Sequence, residues 1–244
     1  YKATHLSELI LSNTYLKNLE NQLNLSHFSW LEFLDVSCNE IIAIKFGNFI
    51  ENIFLMYLNL SYNRISFIEK NSFEYQTNII QLDLSFNILY EIDHHIFGKN
   101  LLYNLIDLRI ISNFLINFKA RLKGQMRALI LDNNSLEQIP TEIYNNLNQV
   151  SRLSLNDNKI KSIYNNNFYL LNSILVLQLD NNIISNIEPF SFINLIALYH
   201  LSLKNNKLSY LDKGIFKSLV KLQYLDLSFN NLQYINYELF QETT

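Results

Sequence analysis

Residues 222–235 read LQYLDLSFNNLQYI. Leu222, Leu225 and Leu227 alternate loosely, as on a short strand. Asn230 then interrupts the apolar series, and Leu232 and Ile235 resume it. An amide planted at that one place is either a reactive group or a structural one, and the rest of the chain decides between them. The same register recurs in units starting at Leu6, Leu31, Leu55, Ile79, Leu105, Met126, Val150, Ile174, Leu198 and Leu222, spaced 25, 24, 24, 26, 21, 24, 24, 24 and 24 residues apart. Positions 1, 4, 6, 11 and 14 are apolar in every unit, whereas a chain that is 49% hydrophobic fills about half of such places by chance. Position 9 is Thr14 in the first unit and asparagine in the other nine: Asn39, Asn63, Asn87, Asn113, Asn134, Asn158, Asn182, Asn206 and Asn230. A side chain repeated at one register position belongs to the scaffold.

Positions 4 and 6 share one face of a strand while 5 and 7 share the other. One unit cannot bury its leucine face alone, so neighbours stack and the core becomes continuous. With only four glycines and two prolines, tight turns fall to asparagine, which tolerates the left-handed conformation and bonds its own backbone.

The pattern LxxLxLxxNxLxxL resembles the leucine-rich repeat, from about residue 6 to the end of the chain. An aromatic recurs at position 19 (Phe49, Phe73, Phe97, Tyr144, Phe168, Phe192, Phe216, Phe240). With the 24-residue period, it makes the chain similar to the "typical" subtype of Toll-type receptors, chaoptin-like adhesion proteins and secreted insect immune factors. The resemblance implies an α/β-type repeat solenoid, a curved horseshoe. Its parallel β-sheet would line the concave face, with irregular or short-helical segments behind. It also implies that the position-9 asparagines point inward and bond the backbone where each strand turns away. The aromatics would stack as a row within the core, since such contacts add about 0.5–1.5 kcal/mol per pair beyond burial.

Residues 1–244 are expected to be a single domain of about ten repeats, since no composition break divides them. The short fifth unit, Leu105 to Gln125, lacks the position-19 aromatic and implies a local change of curvature. FKARLKGQ, residues 118–125, is the most loop-like stretch. Neither end carries a cysteine cluster, so caps are missing and the ends are expected to belong to a longer ectodomain, or to fray or self-associate as homo- or hetero-oligomers.

Strand positions 2, 3, 5, 7 and 8 are left to project from the concave side. Phe33, Asp35, Tyr57, Tyr62, Asp83, Phe86, Arg109, Arg127, Arg152, Tyr199, His200 and Tyr224 are the candidate contacts for a protein partner. Exposed aromatics bring buried area at little entropic cost. The net charge of −3, with no Lys/Arg run, gives no reason to expect nucleic acid. No apolar stretch reaches the roughly 18 residues that span a bilayer, so this segment is not expected to insert into a membrane.

Asp35, Asp83, Asp107, Asp132, Asp157, Asp180 and Asp226 recur with the array, but paired carboxylates need an enclosing pocket to do acid–base work. A wide sheet offers none, and no enzyme is expected. The single Cys38 cannot form an internal disulfide. His94 and His95 lie outside the strands, and two adjacent loop residues rarely hold a metal alone. No cofactor and no metal are therefore expected. Three sequons make Asn24, Asn59 and Asn133 glycosylation candidates. The expectation is an extracellular recognition scaffold. A cytosolic scaffold or enzyme inhibitor, or a purely structural array, remains the alternative.

Overall fold

The computed structural model describes residues 5–97, 103–120, 125–140 and 149–240. Two compact units make up the chain, residues 1–126 and 127–244, and the division follows directly on the short fifth repeat.

The first unit holds strands β1 (Glu8–Ile10), β2 (Phe33–Asp35), β3 (Ala43–Ile44), β4 (Tyr57–Asn59), β5 (Phe67–Ile68), β6 (Gln81–Asp83), β7 (Glu91–Asp93), β8 (Asp107–Arg109) and β9 (Asn117–Lys119). Strands β1, β2, β4, β6 and β8 form one parallel ladder, in which Leu9, Leu34, Leu58, Leu82 and Leu108 stand in line. Further along each repeat β3 pairs with β5, and β7 with β9. The second unit repeats the plan with β10 (Ala128–Ile130), β11 (Arg152–Ser154), β12 (Ser162–Ile163), β13 (Val176–Gln178), β14 (Asn186–Ile187), β15 (His200–Ser202) and β16 (Tyr224–Asp226). Its parallel ladder aligns Leu129, Leu153, Leu177, Leu201 and Leu225. Each unit is thus the parallel-sheet repeat solenoid that the register implies.

The ladder strands last three residues because the chain turns at position 8. All ten residues there adopt the left-handed conformation, with φ between 52° at Asn205 and 59° at Asn13. Asn13, Asn133, Asn181 and Asn205 take it readily, whereas Cys38, Tyr62, Phe86 and Phe229 hold it at a cost of about 1 kcal/mol each. Such a cost persists only where the surroundings dictate the turn, and here the flanking hydrogen bonds do so. Cys38 and Tyr62 donate their N–H groups to the carbonyls of Ser61 and Ser85 in the next repeat.

Behind the turn, Leu34, Val36, Leu82, Leu84, Leu153 and Leu155 are fully buried. The position-19 rings stack as two rows. Phe49, Phe73 and Phe97 sit 5.9 and 6.0 Å apart in the first unit. Phe168, Phe192, Phe216 and Phe240 sit 6.0, 6.0 and 5.9 Å apart in the second. Tyr144 lies outside the described residues. Helix is confined, among the described residues, to single 3-10 turns at Leu25–His27, His94–Phe97 and Tyr237–Leu239.

The supposed loop at 118–125 is corrected in part: Phe118 and Lys119 belong to β9, and Phe118 is buried beside Ile92 of β7. Its charges mislead because a two- or three-residue strand needs only one inward apolar side chain. Residues 121–124, with Arg121, Lys123 and Gly124, lie outside the described residues.

Candidate functional site: two polar ladders beneath an open sheet face

Asn158 shows how the position-9 amide works. Its Oδ1 accepts the Leu136 N–H of the preceding repeat at 3.0 Å. Its Nδ2 donates to the carbonyls of Leu131, Leu155 and Asn156 at 3.0, 3.2 and 3.0 Å. The pattern recurs along both units. The Ile41, Ile65 and Leu89 N–H groups bond Asn63, Asn87 and Asn113. Those of Ile160, Ile184 and Leu208 bond Asn182, Asn206 and Asn230. Asn134 donates to the carbonyls of Leu131 and Asp132. Asn39 accepts from two N–H groups, those of Thr14 and Leu16. An amide suits the place because it both donates and accepts. These bends would otherwise leave buried backbone groups unpaired.

The residues at positions 5 and 7 depart from the sequence reading. Ser37, Ser61 and Ser85 at position 7 are buried and do not project. Asp35, Asn59 and Asp83 at position 5 are half-buried, and their Oδ1 atoms accept the N–H of the serine two residues on, at 2.8, 3.1 and 2.9 Å. In the second unit the roles exchange until the last repeat, where Asp226 again accepts the Ser228 N–H. Position 7 now carries Asp132, Asn156 and Asp180, and each bonds the position-7 N–H of the next repeat, at 2.8, 2.8 and 3.0 Å. Ser154 and Ser202, now at position 5, donate their hydroxyls to Asp132 and Asp180. This second ladder escaped the sequence reading, although the change from Asp/Asn to Ser at position 5 signals it. Several face aspartates are therefore turn-forming groups whose Oδ1 atoms are already engaged.

Burial raises the Asp132 carboxyl above the usual aspartate range, although the bonds from the Ser154 hydroxyl and the Asn156 N–H pull it down and Asp157 nearby adds to the rise. Its folded pKa therefore exceeds its unfolded one, so its protonated form is the better tolerated in the fold. Stability from this group is greatest at low pH and falls as pH rises from the ordinary aspartate value through the raised one. Asp132→Asn keeps an acceptor without the charge. The variant is expected to match or exceed the parent in stability at neutral pH and to lose that slope, as read from denaturation between pH 4 and 7.

Above these ladders lie the aromatics. In the first unit Tyr62 and Phe86 stack at 4.1 Å and 8°, both on left-handed backbone, and are 52% and 39% exposed. Phe33 and Tyr57 meet at 6.2 Å on the adjoining strands β2 and β4. Arg109 is spoken for: its guanidinium grips Asp107 through Nε and Nη2, at 3.1, 3.2 and 2.8 Å, and that bond holds its pKa above the ordinary value. In the second unit His200 and Tyr224 stack at 4.2 Å and 11°, with Tyr199 edge-on to His200. Lys204 stands 5.4 Å above the Phe229 ring. Arg152 donates to Gln178, and Arg127 is exposed. At position 8 the second unit replaces stacked rings by an amide chain, Asn205 to Asn181 to Asp157, each link 2.9 Å.

Two further features were not legible in sequence. Ile42, Phe67, Tyr90, Phe114 and Ile116 are exposed on the flank of the first unit, with Tyr90 and Phe114 stacked at 5.6 Å. They occupy positions 10, 12 and 13, which vary too much between units to mark a face. Among the sequons, Asn24 and Asn133 are exposed, while Asn59 is half-buried with its Oδ1 held by Ser61.

The family model described as "Leucine rich repeat" matches residues 29–89, 124–182 and 174–232, well over half of the chain. No curated protein matches it. Among solved structures, a leucine-rich repeat protein of Leptospira interrogans shares 25% identity with a TM-score of 0.74, covering 88% of this chain and 53% of that one. TLR13, solved as a complex with ssRNA13, shares 25% with a TM-score of 0.75, covering 94% and 36%. The ectodomain of the Arabidopsis thaliana membrane receptor kinase GASSHO1/SCHENGEN3, solved with CASPARIAN STRIP INTEGRITY FACTOR 2, shares 23% with a TM-score of 0.74, covering 96% and 28%, and speaks for the fold alone. The chain spans from about a quarter to about half of these structures.

Proposed function

Because the chain belongs to the leucine-rich repeat family, we propose that it is a non-catalytic protein-recognition scaffold: the extracellular, ligand-binding or adhesive part of a receptor or a secreted innate-immune factor. The observation that carries this reading is the Tyr62–Phe86 stack with Phe33 and Tyr57 beside it. These rings are solvent-exposed or half-buried and sit on strands and turns already fixed by the ladder, so a partner docks against a preformed surface with little ordering cost. Glu8, Glu32, Asp35 and Asp83 lie on the same face of the first unit, where Arg109 is taken up by Asp107. Acidic groups beside aromatic rings favour a polypeptide with basic and apolar side chains and disfavour nucleic acid.

TLR13, solved as a complex with ssRNA13, supports a ligand-binding role. The extracellular assignment draws on the exposed sequons at Asn24 and Asn133. No helix among the described residues is long and apolar enough to cross a membrane.

The test is a binding screen of the immobilised protein, secreted from eukaryotic cells, against a panel of ectodomains and secreted proteins. Saturable binding that weakens with salt supports the reading. Binding only to nucleic acid, or a product carrying sugar on Asn59 that still binds through the first unit, overturns the face assignment.

A further inference from the structure

The turn that follows β7 gathers three metal-ligating side chains. The sequence places Asp93 directly before the adjacent His94 and His95, but adjacency alone does not aim three side chains at one point. In the fold the chain leaves β7 at Asp93 and enters the 3-10 turn His94–Phe97, which swings both imidazoles back over the Asp93 carboxylate. His94 Nδ1 lies 3.1 Å and His95 Nδ1 2.5 Å from the same atom, Asp93 Oδ1. The three potential ligand atoms all fall within 4.8 Å of one another.

We propose that Asp93, His94 and His95 form a binding site for a divalent transition-metal ion of the zinc class. Ligands about 2.0–2.1 Å from one ion at tetrahedral or facial angles stand roughly 2.9–3.4 Å apart. The His94 pair already has that separation, and the His95 pair needs to open by about 0.4–0.9 Å. The site is partly built before the ion arrives. The His95 N–H donates to Asp93 Oδ1 at 2.8 Å and fixes the carboxylate. The His95 carbonyl accepts the Asn71 N–H at 2.7 Å, tying the turn to the preceding repeat. Among the described residues Asp93 pairs with His94 and His95 and with no lysine or arginine.

Two imidazole nitrogens and one carboxylate oxygen favour zinc, copper(II) or nickel over the hard ions magnesium and calcium. Three protein ligands leave coordination open for water or a donor from a partner. Equivalent positions in neighbouring repeats read Lys45-Phe46-Gly47 and Glu69-Lys70-Asn71, so the site belongs to this repeat alone and not to the general scaffold.

The probe is zinc chloride, titrated calorimetrically into the intact chain at pH 7.5 with magnesium chloride as the comparison. One zinc per chain is expected, and no magnesium binding. His94→Ala, His95→Ala and Asp93→Asn are each expected to weaken zinc binding at least about tenfold. His27→Ala, on an exposed histidine elsewhere in the same unit, should leave it unchanged. At pH 5 binding should collapse as protons compete for the imidazoles. Circular dichroism of each variant, and the two imidazole resonances by NMR, separate a lost ligand from a lost fold. Zinc that leaves the His94 and His95 resonances unshifted, or that binds the His95→Ala and parent proteins alike, overturns the proposal.

Discussion

Asn158→Ala is expected to lower unfolding stability by about 3 kcal/mol, the larger share of it through a single orphaned amide. The carbonyls of Leu131 and Leu155 each receive two asparagine donors. One comes from their own repeat and one from the next: Asn134 and Asn158 for Leu131, Asn158 and Asn182 for Leu155. Removing Asn158 leaves each with a partner. The Leu136 N–H has Asn158 Oδ1 as its acceptor, and alanine strands it where the side chain was only 6% exposed. A buried donor left unpaired costs its full desolvation penalty. Asn230→Ala in the last repeat should cost about half as much, because Asn230 is half-buried and water can reach the Leu208 N–H it serves. Repeat arrays need not unfold in one step, so the check pairs urea denaturation with hydrogen exchange at the Leu136 amide. Unchanged exchange at that amide in Asn158→Ala would remove the basis of the ladder argument.

Replacing Tyr57, Tyr62 and Phe86 together by alanine is expected to weaken binding of a partner found in the ectodomain screen by more than about 2 kcal/mol, as loss of central aromatic anchors does. A cleaner version uses the repeat's own variation. Asn13, Asn133, Asn181 and Asn205 occupy the left-handed position that Tyr62 and Phe86 hold. Tyr62→Asn with Phe86→Asn therefore relieves up to about 2 kcal/mol of backbone strain while losing one ring stack worth about 0.5–1.5 kcal/mol. Stability should hold or rise slightly while affinity falls. Full affinity in a folded double variant would place the contact elsewhere, with the exposed flank at Phe67, Tyr90 and Phe114 next in line.

Much of this molecule was legible from spacing. A 24-residue register with five apolar positions leaves a strand every repeat and a core between repeats as the way to bury the leucines. An amide recurring at position 9 announces a structural role, because chemistry does not need nine copies. The face residues were harder. Asp35 and Asp83 look like ligands in sequence, yet their oxygens close turns onto Ser37 and Ser85. Arg109 looks free, yet it is bound by Asp107 two residues away on the same strand face. Such pairings depend on rotamers and on the residue one repeat away, and composition does not report either.

Period, strand direction and the inward positions follow from the one-dimensional pattern, because an apolar side chain must be buried wherever it recurs in phase. Which polar groups remain available does not follow from it. That is settled only when the repeats stack and each carboxylate, amide and ring meets its neighbour 22 to 27 residues away. Stacking turns Asp132 and Asp180 into ladder rungs and Tyr62 and Phe86 into a paired exposed platform, while the 3-10 turn after β7 draws the side chains of Asp93, His94 and His95 together.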